Sequence, residues 1–458
     1  MTPISSFVFR RRMLFAAVFL LLSLPVSSQA SGARRDALAD SVKQEFLHAW
    51  QGYKQYAWGH DALKPLSKTP YDWYGQPLLL TPVDALDAML IMGLKEEARE
   101  TKQLILDSLR LDRDIYVSNF EITLRLLGSL LSIYQMDPDP RFLRLAEDLG
   151  NRLMPAFGSP TGLPYQTVNL KTGAVKGTTP NPAETGTLLI EFGMLSKLTG
   201  NPKYYAAAKR ALVETYKRRS KIGLVGTSIN CETGEWTDTR SHIGGMIDSY
   251  YEYMLKAWLL FGDEDCKQMW QESIGPVNTY LADTVKGGLW YGVVDMHTGE
   301  RRASIFGSLD AFFPAVLVLG GDMARAQALQ ASCYAMWTQH DIEPERYDYR
   351  KDSVVNARYY LRPEIIESAY YLYHATNDEQ YRMMGRTMFE SLKKFCRCEA
   401  GYAELQDVRT KEKRDAMESF FFAETLKYFY LLFAEDSALD FDSVIFTTEA
   451  HPMRKTFR

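Results

Sequence analysis

An all-α fold, a closed ring of helical hairpins with outer helices packed around inner ones, is what this sequence predicts. Three observations carry that prediction. Helical periodicity dominates from residue 35 onward, two kinds of helical segment alternate along the chain, and no break in composition divides it. One kind of segment is amphipathic and charged on one face: 36–53, 95–110, 139–154, 202–218, 263–283, 321–339 and 378–396. The other is apolar nearly all round: 83–93, 119–135, 183–198, 244–261, 308–318, 363–376 and 418–434. A helix without a polar face must be surrounded by protein, which places the second set inside the first. Seven of each kind, alternating, read as one ring and one domain over 31–458.

A second repeat lies between the hairpins. "NLKTGAV" (169–175), "NCETGEW" (230–236) and "DMHTGER" (295–301) share a Thr-Gly turn at spacings of 61 and 65 residues. Strand-like residues such as Tyr165-Gln166-Thr167 and Leu289-Trp290-Tyr291 flank the turns, so each unit reads as a β-hairpin. Every one follows an outer helix and precedes an inner one, which gathers the hairpins at one end of the ring.

The first 30 residues read as a signal peptide rather than part of the fold. Arg10, Arg11 and Arg12 precede an apolar run from Met13 to Leu24, interrupted only at Ser23, and Ser28 and Ala30 have the spacing of a cleavage site. The run is short for a membrane span; an uncleaved anchor is the alternative, and a twin-arginine signal is a weaker one. Cleavage places the mature chain in the periplasm or outside the cell. It also removes three arginines and no acids, taking the formal charge from −4 to −7. That charge argues against nucleic acid and anionic membranes as partners. Of 458 residues 46% are hydrophobic, ample for a large core, and the five cysteines allow at most two internal disulfides. Cys396-x-Cys398 lacks zinc-ligand spacing.

The inner segments carry acids that a purely structural helix does not need. Glu121 opens one, with Arg125 a turn later; Asp248 lies near the start of another; Glu364 and Glu367 follow Pro363 on one face; Glu418 and Glu424 sit among phenylalanines and tyrosines. Singly, each is as compatible with a helix dipole or an i,i+4 ion pair, such as Glu121–Arg125 or Glu424 with Lys427, as with chemistry. Together they point one way. Inner helices of such a ring open on the same side, so these acids converge in one aromatic-lined cup, and buried acids are costly unless paired or used. Convergent acids over aromatic surface suit a carbohydrate site, where hydrolysis needs one protonated and one ionised carboxyl. No His-x-x-x-His or His-Glu-x-x-His spacing supports purely metal-based chemistry.

These motifs resemble the class I α-mannosidases, glycoside hydrolase family 47, almost from end to end. The resemblance is carried by "YKQYAWGHDALKP" (53–65), "PVDALDAMLIMGL" (82–94), "FEITLRLLGSLLSIY" (120–134) and "NPAETGTLLIEFGMLSKLTGNPKY" (181–204). It continues through "DSYYEYMLK" (248–256), "LRPEIIESAYYLY" (361–373), "ESFFFAETLKYFYLLF" (418–433) and "TEAHP" (448–452). What it implies is an (α/α)7 barrel and an inverting, calcium-dependent exo-α-1,2-mannosidase, acting as a monomer on oligosaccharides or N-glycans that end in α-1,2-linked mannose. Carried over position by position, Glu121 resembles the general acid, Glu364 the general base and Asp248 the third catalytic acid. Arg125, Arg362, Pro363, Glu367, Phe420, Glu424 and Glu449 match the positions that line the terminal sugar's subsite. Ca2+ is expected on Thr448, through its hydroxyl and carbonyl, with waters and sugar hydroxyls completing the shell.

One segment departs from the family pattern. Many eukaryotic members have a histidine and, three residues on, a disulfide cysteine just ahead of Phe-x-Pro; in "GSLDAFFP" (307–314) those places fall on Ser308 and Ala311. The disulfide is not carried over, and the segment resembles the quality-control branch of the family. A glycan-binding protein that recognises mannose without hydrolysing it is therefore the alternative. The tail "VIFTTEAHP" (444–452) is expected to plug the barrel from the end opposite the substrate, within a segment 441–452, and to form the floor of the site.

Overall fold

The computed structural model describes residues 27–435 and 438–455. Most of the expected signal peptide, residues 1–26, lies outside the described residues. The outer helices are Ser27–Ala57, Lys95–Ser108, Pro140–Leu153, Lys203–Lys217, Glu264–Pro276, Met323–Gln339 and Glu379–Cys396. The inner ones are Leu80–Met92, 119–136, 182–199, Asp248–Phe261, 309–319, Glu364–Thr376 and 421–433. Each inner helix packs on the next, and the last packs on both Leu80–Met92 and the first outer helix, which closes the ring. The (α/α)7 barrel expected from the alternation is the architecture of the chain.

Burial separates the two sets as the pattern requires. In the outer helix Pro140–Leu153 the buried side chains are Phe142, Ala146, Leu149, Gly150 and Leu153, a single stripe at helical spacing. In the inner helix Glu364–Thr376, by contrast, Ile365 through Tyr373 are buried without a gap. Three inner helices depart from α geometry: 119–136 contains a π turn at Thr123–Gly128, 421–433 begins with one at Phe421–Thr425, and 309–319 begins with a 3-10 turn at Leu309–Phe312. The inner helix 182–199 is interrupted at 187–188.

Connections decide where the site lies. From an inner helix to the following outer one the chain takes only two or three residues. Gly93, Gly200, Gly262 or Asn377 supplies a left-handed cap at four of these turns, and Asp139, Asp263, Asp322 or Asp378 caps the outer helix at four. From outer to inner the connections run 10 to 32 residues and carry the β-hairpins. All long loops therefore gather over the N-terminal ends of the inner helices, leaving the other end of the barrel tight.

The three Thr-Gly units are antiparallel hairpins. In each, an Asn or Asp accepts two backbone N–H groups of its own turn, and the fifth residue (Gly173, Gly234, Gly299) takes a positive φ. The same turn recurs at Asp348–Asp352 and Asp407–Lys411, where Asp352 (φ 58°) and Lys411 (φ 64°) replace the glycine. One further hairpin enters the ring from its tight end. Strands Val444–Phe446 and Pro452–Arg454 pair antiparallel beside Met136 and Trp258, at the C-terminal ends of inner helices. All five cysteines are free thiols.

Candidate active site

A cavity of about 390 Å³ lies where the inner helices begin, and the eleven candidate catalytic, subsite and calcium residues line it, whereas Glu418 stays outside it and accepts the Trp73 indole N–H at 2.8 Å. Glu121 belongs to the first turn of its helix, where the Ser118 hydroxyl accepts the Glu121 N–H at 3.2 Å. Asp248 and Glu364 are the first residues of their helices, and Glu367 follows one turn on. Arg125 and Glu424 stand in the two π turns, an irregularity frequent at functional sites because the extra residue re-aims the side chains around it. Thr448 and Glu449 arrive on the tip of the inserted hairpin.

Three non-glycine residues with left-handed backbone lie in or next in the chain to the lining of this cavity. Met246 (φ 85°) lies two residues before Asp248, Leu361 (φ 61°) three before Glu364, and Ala450 (φ 57°) directly after Glu449. Such conformations persist only where surrounding structure over-determines them. Here a neighbouring inner element bonds the carbonyl of each: Ala183 N–H donates to Met246 O (3.0 Å), Thr425 Oγ1 to Leu361 O (2.7 Å) and Lys427 Nζ to Ala450 O (2.7 Å).

Two arginines frame the floor. The Arg125 guanidinium carbon is 5.6 Å, and that of Arg362 5.9 Å, from the Phe420 ring centre. Arg125 donates to Glu121 Oε2 (3.0 Å) and Glu449 Oε2 (2.6 Å) and lies 3.7 Å from Asp84. Arg362 is held by Glu345 (2.8 Å), to which Ser308 Oγ also donates (2.8 Å), and lies 4.0 Å from Glu364. Ser308 thus meets Arg362 through Glu345.

Burial dominates the carboxyl groups. It raises Glu121 against the opposing pull of Arg125. Glu364 is pushed up to about 8 by burial, opposed by Arg362, and one of its oxygens is buried without a hydrogen-bond partner. Glu367 also reaches about 8 through burial, although Lys256 draws it down. Asp248 reaches about 6 by burial, restrained by the N–H and hydroxyl of Ser249. Glu424 is pushed well above the ordinary range by burial and by Glu449, with which it shares a hydrogen bond. The cavity therefore holds carboxyl groups of unlike proton affinity side by side, which acid–base chemistry on one bond requires.

Beneath the floor the hairpin tip is clasped by a fully buried charge network. His451 Nδ1 meets Asp87 (2.7 Å), its Nε2 meets Asp84 (3.1 Å) and Ser129 Oγ (2.9 Å), and Lys427 completes Asp87 (2.7 Å). Lys427, readable from sequence as a surface partner of Glu424, is fully buried and faces Asp87 instead. The sequence reading also missed Glu184, which lines the cavity from a capping box with Asn181, and Glu345. Asn181-Pro182-x-Glu184 carries the capping signature that could have found the first; Glu345 lies in a loop with no periodic signal. A second cavity of about 370 Å³ adjoins the first and shares Gly245, Met246 and Leu309 with it.

A helical-hairpin barrel that delivers carboxyl groups of unlike environment to an aromatic-floored cup defines a class of protein, the barrel glycosidases. A profile of glycosyl hydrolase family 47 matches residues 45–455, and the chain belongs to that family of glycoside hydrolases. The chain is 37% identical to alpha-mannosidase I MNS5 of Arabidopsis thaliana, over 97% of this chain and 82% of that one. It is 37% identical to the human endoplasmic reticulum mannosyl-oligosaccharide 1,2-alpha-mannosidase, over 94% and 66% respectively. The solved alpha-1,2-mannosidase from Trichoderma reesei superposes with a TM-score of 0.84 at 28% identity, covering 92% of this chain and 99% of that one.

Proposed function

We propose that the protein is an inverting exo-α-1,2-mannosidase that removes terminal α-1,2-linked mannose from oligosaccharides or N-glycans and uses calcium. The observation that carries this reading is the convergence of Glu121, Asp248 and Glu364, from three different inner helices, on one cavity floored by Phe420. In this mechanism Glu121, whose hold on its proton burial strengthens, supplies the proton to the leaving oxygen, directly or through a water. Glu364 accepts the proton of the attacking water, and Arg362 favours its ionised form. Asp248 assists on the acid side, and the two arginines with Glu367, Glu424 and Glu449 hold the sugar's hydroxyls over Phe420 and Pro363.

Calcium fits the donors at the hairpin tip. The Thr447 hydroxyl is engaged, accepting His451 N–H at 3.1 Å, whereas Thr448 Oγ1 and O make no hydrogen bond among the described residues and Thr448 lines the cavity. Among the described residues no cluster of three or more His, Cys, Asp or Glu is arranged to hold a metal, so the fitting ion is one content with hydroxyl, carbonyl and water oxygens. When bound, such an ion orients the sugar and polarises water. Export to the periplasm or beyond, and action as a monomer, complete the proposal; among the described residues no helix is long and apolar enough to cross a membrane.

The test is an NMR time course of α-1,2-mannobiose digestion, with chelated protein and Glu364→Gln as controls. First release of β-mannose, lost in both controls, is expected. α-Mannose as the first product sinks the inverting assignment. Tight mannose binding with no hydrolysis at any pH selects the glycan-binding alternative, which the departures at Ser308 and Ala311 motivate.

A further inference from the structure

Thr448 is bracketed on both sides by bonds from different inner helices. On its C-terminal side Arg125 holds Glu449 (2.6 Å) and Lys427 holds Ala450 O (2.7 Å). The turn itself is closed by Thr447 N–H to His451 O (3.0 Å) and Ala450 N–H to Thr447 O (3.1 Å). On its N-terminal side, among the described residues, one group makes the contact: Thr448 N–H donates to the Tyr253 hydroxyl at 3.2 Å. Tyr253 in turn donates its own hydrogen to Glu191 Oε1 at 2.6 Å.

The order of these two bonds follows from their chemistry. An amide N–H can only donate, so the Tyr253 oxygen must offer it a lone pair. The Tyr253 hydrogen then points elsewhere, and Glu191 is the acceptor it meets. Tyr253 and Glu191 are fully buried on inner helices Asp248–Phe261 and 182–199, and neither lines the cavity. Tyr253 follows Asp248 by five residues on the same helix, so the helix that presents a candidate catalytic acid also fixes the hairpin tip.

We infer that Tyr253, oriented by Glu191, is a positioning residue for the ion site at Thr448. Its hydroxyl fixes the peptide plane leading into Thr448 and thereby aims the residue's two free oxygens into the cavity. The inference rests on the assignment of Thr448 as the calcium ligand. Partners one shell out from a metal are worth about tenfold to a hundredfold in metal affinity.

The test is calcium titration of the chelator-stripped full-length protein by isothermal titration calorimetry, beside assays of mannobiose hydrolysis across calcium concentrations. Tyr253→Phe removes one oxygen and keeps the ring. It is expected to weaken calcium binding about tenfold or more, to leave the melting temperature in chelator nearly unchanged, and to regain hydrolysis at high calcium. A merely structural tyrosine predicts no such rescue by the ion. Glu191→Gln retains an acceptor oxygen and is expected to bind calcium much as the parent does; Glu191→Met is expected to follow Tyr253→Phe, and serves in its place if that variant does not fold. Parental calcium affinity in both Tyr253→Phe and Glu191→Met overturns the inference. So does a parent protein that hydrolyses mannobiose without taking up calcium, a result that leaves the glycosidase reading standing. Calcium uptake without hydrolysis has the opposite effect: it removes the enzyme reading while the affinities of the variants still decide the role of Tyr253.

Discussion

Arg125 and Glu449, 324 positions apart in the chain, meet at 2.6 Å in the lining of the candidate active site, and the same guanidinium holds Glu121 at 3.0 Å. One cation thus joins the candidate general acid to the hairpin that carries Thr448, with Asp84 3.7 Å away on a third element. Removing it leaves two buried acids, Asp84 and Glu449, and the half-buried Glu121 without their shared cation. Breaking a buried charge pair from one side costs about 3–5 kcal/mol. Arg125→Ala is therefore expected to lower unfolding stability by about that amount in a urea titration and to reduce kcat/KM by more than about a hundredfold. Glu449→Gln, which keeps an oxygen acceptor, is expected to cost markedly less stability. Equal losses in the two variants contradict the central place given to Arg125.

Glu364 and Arg362 make a prediction about pH. Burial pushes Glu364 up to about 8 and Arg362, 4.0 Å away, draws it down. A general base works only when ionised, so activity falls as pH drops through its pKa. Replacing Arg362 with Met removes the cation that favours ionisation, and the acid limb of the kcat/KM profile is expected to move to higher pH. A limb that stays put, or moves down, argues that Glu364 is not the group titrating there.

The barrel was legible because burial on all sides and burial on one side leave different periodic patterns, and each inner segment of the pattern corresponds to an inner helix. What escaped was local backbone geometry. Asp352 and Lys411 adopt the same left-handed turn as Gly173, but a reading keyed to glycine passes over them. The π turns at Thr123–Gly128 and Phe421–Thr425 leave no trace in composition, since one extra residue per turn barely alters an all-apolar pattern. Lys427 shows the limit of local pairing rules: Glu424 is near in sequence, but Asp87 and Ala450 O are what the fold brings to it. Contacts set by ring closure, rather than by neighbours in the chain, are the part a single sequence does not spell out.

Buried acids also set the pH dependence of stability in the calcium-free protein. Burial raises Glu191, Glu364 and Glu367 to about 8, Asp310 to about 7 and Asp248 to about 6. Between the ordinary carboxyl range and pH 8 the folded state therefore binds more protons than the unfolded one, and stability falls as pH rises. His451 acts in the same direction. Burial lowers its pKa, but Asp87 and Asp84 outweigh that and raise it to about 9, so its contribution is present below the usual histidine value and lost through pH 9. With chelator present, the unfolding midpoint is expected to be higher at pH 5.5 than at pH 8.5. Each such carboxyl contributes about 1.4 kcal/mol per pH unit within its window. Glu191→Gln is expected to flatten the slope by about one proton; a slope unchanged by that substitution shows that Glu191 does not titrate this way.

Met246 stands on the ridge between the two cavities, 46% exposed and with φ at 85°. A methionine in that backbone region is strained, and an exposed side chain gains little from burial to offset it. With Leu309 it forms an apolar edge shared by the two cavities, which the proposed function assigns to a chain of sugars longer than a disaccharide. Met246→Gly is expected to leave the free energy of unfolding within about 1 kcal/mol of the parent, since relief of strain opposes the extra freedom glycine gives the unfolded chain. Activity on α-1,2-mannobiose, too short to fill both cavities, is expected to change little, whereas kcat/KM for larger mannose oligosaccharides falls severalfold. An equal fall for both substrates places Met246 in the support of Asp248, two residues along, rather than in contact with the extended chain.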